Sequence, residues 1–178
     1  MSNETIGWCP PLEPPVMRVI GIDPGLASTG IAVVEGSSFA VSNYAFETLR
    51  TSADSLLPDR LMHIYNGVNK AIHDVQPDIM VIEDVFSLNR YPKSGITLGK
   101  VTGVILLAAC HCSLPIMEIA VREAKQVLTG SGSAGKAQLE ACVRMRLNHP
   151  EPIRPSHASD ALALALAGLY RSRITGAK

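Results

Sequence analysis

Four side chains spread along this 178-residue chain, Asp23, Glu83, His157 and Asp160, are of the types that hold hard divalent cations. Three carboxylates and one imidazole offer oxygen donors and a single nitrogen, a set suited to magnesium or manganese. Alone, each has a plainer explanation. Asp23 opens Asp23-Pro24-Gly25, where an aspartate commonly caps a turn through its own side chain. Asp160 suits the positive end of a helix dipole, and His157 suits a helix surface. Their shared setting, each at the end of a strand or the start of a helix, argues that they meet and together bind two cations.

The elements that must position them can be read from hydrophobic pattern. Val19 to Ile22 is an apolar run that ends in Asp23 and a turn, and Thr29 to Glu35 reads as the returning strand. Gly25 and Gly30 permit the tight geometry between them. Ile79 to Glu83 repeats the design, so two parallel strands would set Asp23 and Glu83 side by side. Buried neighbouring carboxylates repel and need a cation or a shared proton. Pro155-Ser156 marks a helix start, and the three-residue spacing of His157 and Asp160 puts both on one helical face.

Between these segments, Phe39 to Thr48 reads as a third strand. Leu61, Ile64, Val68, Ile72 and Val75 recur at helical spacing up to Pro77. A largely apolar helix is predicted from about Ile96 to Cys112, a short strand at Ile116 to Ile119, and helices near Arg122 to Leu128, Lys136 to Leu147 and Ser156 to Arg171. Ala161 to Ala167 alternates Leu with Ala and has a strand-like period, but alanine's helix preference and the start signals favour helix. The order predicts an α/β protein with a three-stranded meander followed by βα units.

At this point the chain resembles the RuvC family of Holliday-junction resolvases, in order from about Met17 to Tyr170. The matching segments are Gly21 to Gly25 with Thr29-Gly30, Ile82 to Phe86, Leu98 to Gly103, Lys125-Gln126 with Gly130 to Lys136, and Asp160 to Ala163. The resemblance implies a ribonuclease H-like fold, a mixed five-stranded sheet with helices on both faces. It implies a structure-selective endodeoxyribonuclease that resolves four-way DNA junctions by paired symmetric nicks, acting as a homodimer in recombination and repair. A branch-migration complex enters as a further partner. The family's metal-binding carboxylates fall on Asp23, Glu83 and Asp160, while the fourth position, an Asp in many members, is His157 here. That departure tilts the preference of the two divalent cations, Mg2+ or Mn2+, toward manganese. Under this reading Lys125 and Lys136 neutralise the scissile phosphate. Phe86, in a polar loop with Arg90, Tyr91 and Lys93, stacks on a base exposed at the junction, or else anchors the loop in the core.

Composition fits one domain. The chain is 47% hydrophobic and 18% charged, with no run expected to cross a membrane. Residues 17–178 are expected to form a single nuclease domain, with 1–16 a disordered N-terminal extension lacking the basic start and apolar centre of a secretory signal. Cys9, Cys110, Cys112 and Cys142 show no CxxC pair, consistent with reduced thiols and a cytoplasmic protein. The formal net charge of zero hides an asymmetry: residues 1–89 carry 4 Lys/Arg against 11 Asp/Glu, and residues 90–178 carry 12 against 5. The second half could present a phosphate-binding face beside an acidic centre. Gly130 to Gly135 lacks the nucleotide P-loop spacing and reads as a DNA-backbone contact or a flexible connector. Two alternatives stand beside the resolvase reading: a related nuclease acting on precursor ribosomal RNA, and a non-catalytic junction-binding module. Sugar kinases with an actin-like phosphate turn are excluded by length.

Overall fold

A computed structural model of the chain describes residues 15–37, 40–84 and 92–175. Strands β1 (Met17–Asp23), β2 (Ser28–Gly36) and β3 (Val41–Arg50) form an antiparallel meander. Strands β4 (Ile79–Glu83) and β5 (Ile116–Ile119) then add in parallel on the other side of β1, giving the order β3-β2-β1-β4-β5. The helices are α1 (Leu57–Val75), α2 (Pro92–His111), α3 (Val121–Thr129), α4 (Lys136–Arg146) and α5 (Ser156–Thr175). The expected mixed five-stranded sheet is present. β3 lies two residues later than its apolar pattern suggested, because β2 begins at Ser28 and pairs with Arg50. α1 begins before Leu61, with Pro58 in its first turn, where a missing N–H costs nothing.

Side-chain alternation along β1 divides the core. Ile20 and Ile22 face α1 and α2, packing with Ile64, Val68 and Ile105. Val19 faces the other way, with Val34 and Val81, onto α3, α4 and α5, where Val143, Leu162 and Leu166 meet it. Each fully buried Ile or Leu contributes roughly 1.5–3 kcal/mol of burial free energy. The same alternation sends position 21 toward α5, and a Cβ there would lie 2.2 Å from the Ala161 carbonyl oxygen. Glycine therefore lets the α5 backbone rest directly on β1. Ala161 through Ala167 are all buried, so the Leu-Ala alternation reflects a helix enclosed on every side rather than a strand. By parity, Asp23 emerges on the α5 face.

α2 corrects one expectation. Ser94–His111 is long and apolar enough to cross a membrane by length and composition, with a mean hydropathy of 1.4. Val101, Ile105, Ala108 and Ala109 are fully buried within the core, so one face of this helix is an interior element of the fold. Ile96 and Leu107 on the same helix remain 62% and 48% exposed. Cys110, Cys112 and Cys142 are free thiols.

Candidate metal and phosphodiester site

The register Ile22↔Ile82 between parallel β1 and β4 brings the next residues, Asp23 and Glu83, together at the carboxyl ends of their strands. The turn after Asp23 is closed by Thr29, whose hydroxyl donates to the Gly25 carbonyl at 2.8 Å. α5 starts directly above it. A Cβ on Gly30 would lie 2.0 Å from the His157 carbonyl oxygen, so backbone meets backbone and His157 is set over Asp23. Gly30 was expected to serve the turn; its tighter constraint is this docking of α5.

Six predicted site residues meet in one cleft of about 240 Å³: Asp23, Glu83, Lys125, Lys136, His157 and Asp160. Ala124, Leu139, Ala163 and Leu164 form its apolar wall. Asp23 is 7% exposed, and His157 Nδ1 lies 2.5 Å from its Oδ2, so one proton is held between ring and carboxylate. Lys136 Nζ donates to Asp160 Oδ2 at 3.2 Å while its side chain stays 75% exposed. Burial raises the Asp23 carboxyl above its usual range; hydrogen bonding to His157 opposes that shift and the charge of Asp160 adds to it. Burial, then the charge of Asp23 and a proton shared with it, then Asp160, lift Glu83 from 4.5 to about 7, with Lys136 pulling the other way. Crowded carboxyls held back from ionising are a mark of a working site.

The donor set fits a hard divalent cation, which would relieve the repulsion now shared among a proton, His157 and Lys136. Among the described residues, no three His, Cys, Asp or Glu side chains converge as they stand on one point able to hold an ion. Asp23 is turned onto His157 and Asp160 onto Lys136.

Not every expected contact can be placed. Phe86, Arg90 and Tyr91 lie outside the described residues, as does the side chain of Lys93. The Gly130 to Gly135 loop is no loose connector: Gln126 donates to the Gly130 carbonyl and accepts from Gly132 N–H, and the Thr129 hydroxyl donates to the Lys125 carbonyl and accepts from Ser131 N–H. It fixes how α4, and so Lys136, leaves α3. The sequence reading missed the apolar wall, which carries no chemical signature.

Residues 19–168 match the family model for the crossover junction endodeoxyribonuclease RuvC. The chain belongs to the RuvC family. RuvC of Salinispora arenicola is 38% identical over 156 residues, covering 87% of this chain and 89% of that protein. RuvC of Dehalococcoides mccartyi is 38% identical over 150 residues, covering 84% of this chain and 90% of the relative. Among solved structures, Thermus thermophilus RuvC in complex with a Holliday junction substrate superposes with a TM-score of 0.84 at 31% identity, covering 91% of this chain and 98% of that one. The sheet and its flanking helices are thus the RuvC arrangement of the ribonuclease H-like fold. The yeast mitochondrial Holliday junction resolvase, at 10% identity and a TM-score of 0.59, shares that fold.

Proposed function

We infer that the chain is a metal-dependent, junction-resolving endodeoxyribonuclease in which Asp23, Glu83, His157 and Asp160 hold two divalent cations. The observation that carries this reading is the meeting of these four side chains with Lys125 and Lys136 in one cleft, in a chain of the RuvC family. Bound cations supply an activated water and stabilise the leaving 3′-oxygen of a phosphodiester. The residues' own work is separable from that. Asp23, Glu83, His157 and Asp160 would hold the cations between them, each offering its carboxylate or imidazole to the cleft. With Nδ1 turned to Asp23, His157 has Nε2 left as its ligating nitrogen, a softer donor than a carboxylate and one compatible with manganese. Lys136 exchanges Asp160 for a phosphate oxygen when DNA arrives, and Lys125 neutralises the same phosphate from α3. The apolar wall lowers the local dielectric and strengthens both contacts.

The substrate is a four-way DNA junction, nicked symmetrically by a homodimer in the cytoplasm during recombination and repair. Exposed Met62 on α1 and Ile96 and Leu107 on α2 support the dimer, because they leave an apolar face that a second copy would cover. A junction has two scissile strands related by an approximate two-fold axis, which two sites on a two-fold dimer would match. A branch-migration complex would deliver the junction. We also read residues 17–178 as one nuclease domain, supported by a sheet and helices that share a single pair of cores.

Cleavage of a synthetic four-way junction, a matching linear duplex and a structured RNA is to be compared with magnesium, manganese or chelator. Paired, symmetric, metal-dependent nicks in the junction alone are expected. Cleavage of the RNA without the junction would overturn the assignment and retire the two-fold argument.

A further inference from the structure

The first half of the chain is acidic, with 4 Lys/Arg against 11 Asp/Glu in residues 1–89. Two of those four cations are neutralised within the fold: Arg18 pairs with Glu35 and Lys70 with Asp74. Among the described residues, the other two, Arg50 and Arg60, form no ion pair. Both line a single cleft of about 350 Å³ together with Thr51, Asp59 and His63. Asp59 is the one acid on its wall, and it pairs with neither arginine. Two guanidiniums without an ion-pair partner among the described residues thus line one cleft in an otherwise acidic half, an arrangement that suits an anion.

The place of this cleft matters as much as its charge. Arg50 ends β3 opposite Ser28, at the same end of the sheet as Asp23, two strands away. Strand spacing and residue rise put it roughly 10–15 Å from Asp23, a span that about 3–4 nucleotides of one strand cover. Arg60 is also held in register with the catalytic turn. Its Nε donates to Thr51 Oγ1 at 2.8 Å, and that hydroxyl donates to the Leu26 carbonyl at 2.5 Å. Thr51 N–H donates to the Ala27 carbonyl at 3.2 Å. Leu26 and Ala27 belong to the turn that carries Asp23, so the guanidinium and the carboxylate are fixed to one piece of backbone. With Nε so occupied, the terminal amino groups of Arg60 remain for an anion.

We propose that the Arg50–Arg60 cleft binds a backbone phosphate of the junction a few nucleotides from the scissile bond. It thereby sets which phosphodiester reaches Asp23. This deepens the reading of the chain as a junction nuclease and rests on it. Arg50 and Arg60 are positioning residues: they touch DNA but not the reacting atoms.

The test measures junction binding across a salt series and single-turnover cleavage, using the full chain loaded with Mn2+. R50A/R60A is expected to weaken binding by about 5- to 50-fold near 0.1 M salt and to reduce the slope of log affinity against log salt by ~1–2, since each phosphate contact contributes ~0.9. R60K keeps the charge but loses the Nε bond to Thr51. It is expected to retain the salt slope while spreading the nicks over neighbouring phosphodiesters. A folded R50A/R60A protein, with unchanged melting temperature, whose affinity and slope equal those of the wild type would overturn the proposal and leave the nuclease reading standing. A wild-type protein that neither binds nor cuts the junction would overturn both.

Discussion

Where β1 begins, Arg18 donates through Nε to Glu35 Oε2 at 2.9 Å and through Nη1 to the Val75 carbonyl at 2.6 Å, while its backbone N–H is taken by Asp78 at 2.7 Å. Where β1 ends, Asp23, Glu83 and Asp160 crowd one cleft, balanced by His157 and Lys136 and by carboxyls that resist ionising. The first end spends its charges on itself; the second holds them in surplus. Equal numbers of acids and bases in the whole chain hide this difference, because neutrality of the total says nothing of where each pair is satisfied. A self-satisfied end tolerates change at modest cost, and a surplus end waits for a ligand.

The strongest way to break the contrast is Asp23→Asn. Junction cleavage is expected to fall by at least ~10³-fold, with junction binding by gel shift within a few-fold of wild type. Full turnover by this variant would end the assignment of Asp23. Next comes Lys136→Ala, which removes the partner of Asp160. Single-turnover cleavage should drop by ~10²-fold, and an unchanged rate would show that the lysine serves Asp160 alone.

Acidity sharpens the comparison further. Because Glu83 in the folded chain sits at about 7 instead of 4.5, the folded state holds its proton more tightly than the unfolded one. Its contribution to the stability of metal-free protein is therefore fully present below about pH 4.5 and is lost as pH rises through about 7. Chemical denaturation in chelator at pH 5 and pH 8 should differ in that direction, by roughly 1–3 kcal/mol. Glu83→Gln should flatten the dependence, and millimolar manganese should restore stability at pH 8. The smallest effect belongs to the other end of the sheet. Arg18→Ala is expected to cost ~1 kcal/mol of stability and leave cleavage untouched, since its pair with Glu35 is partly exposed. A large loss of activity would mean that the two ends are coupled.

Much of this was legible in the chain itself. Apolar runs ending in Asp23 and Glu83, and the spacing of His157 and Asp160, located the cluster because strand period and helix period are local properties. The α5 helix was legible despite its misleading alternation, since alanine favours helix whatever its period. Less accessible was anything decided by which backbone lies against which. The role of Gly30 beneath His157, the turn-fixing bonds of Gln126, and the register that carries Arg50 past Thr48 all depend on contacts distant in sequence. Arg50 and Arg60 attracted no notice for the same reason. Nothing in their spacing distinguishes them from Arg18, and only the folded pairing shows which arginine is already occupied.

The docking of α5 on β1 and β2 through bare glycine has a consequence for how the protein is made. This helix contributes both His157 and Asp160 and a run of buried residues from Ala161 to Ala167, and it follows all five strands along the chain. Until it has emerged, the nascent chain has Asp23 and Glu83 but neither His157 and Asp160 nor the core that would hold them. A copy that stops before α5 would therefore carry the sheet's half of the cleft without the wall that closes it.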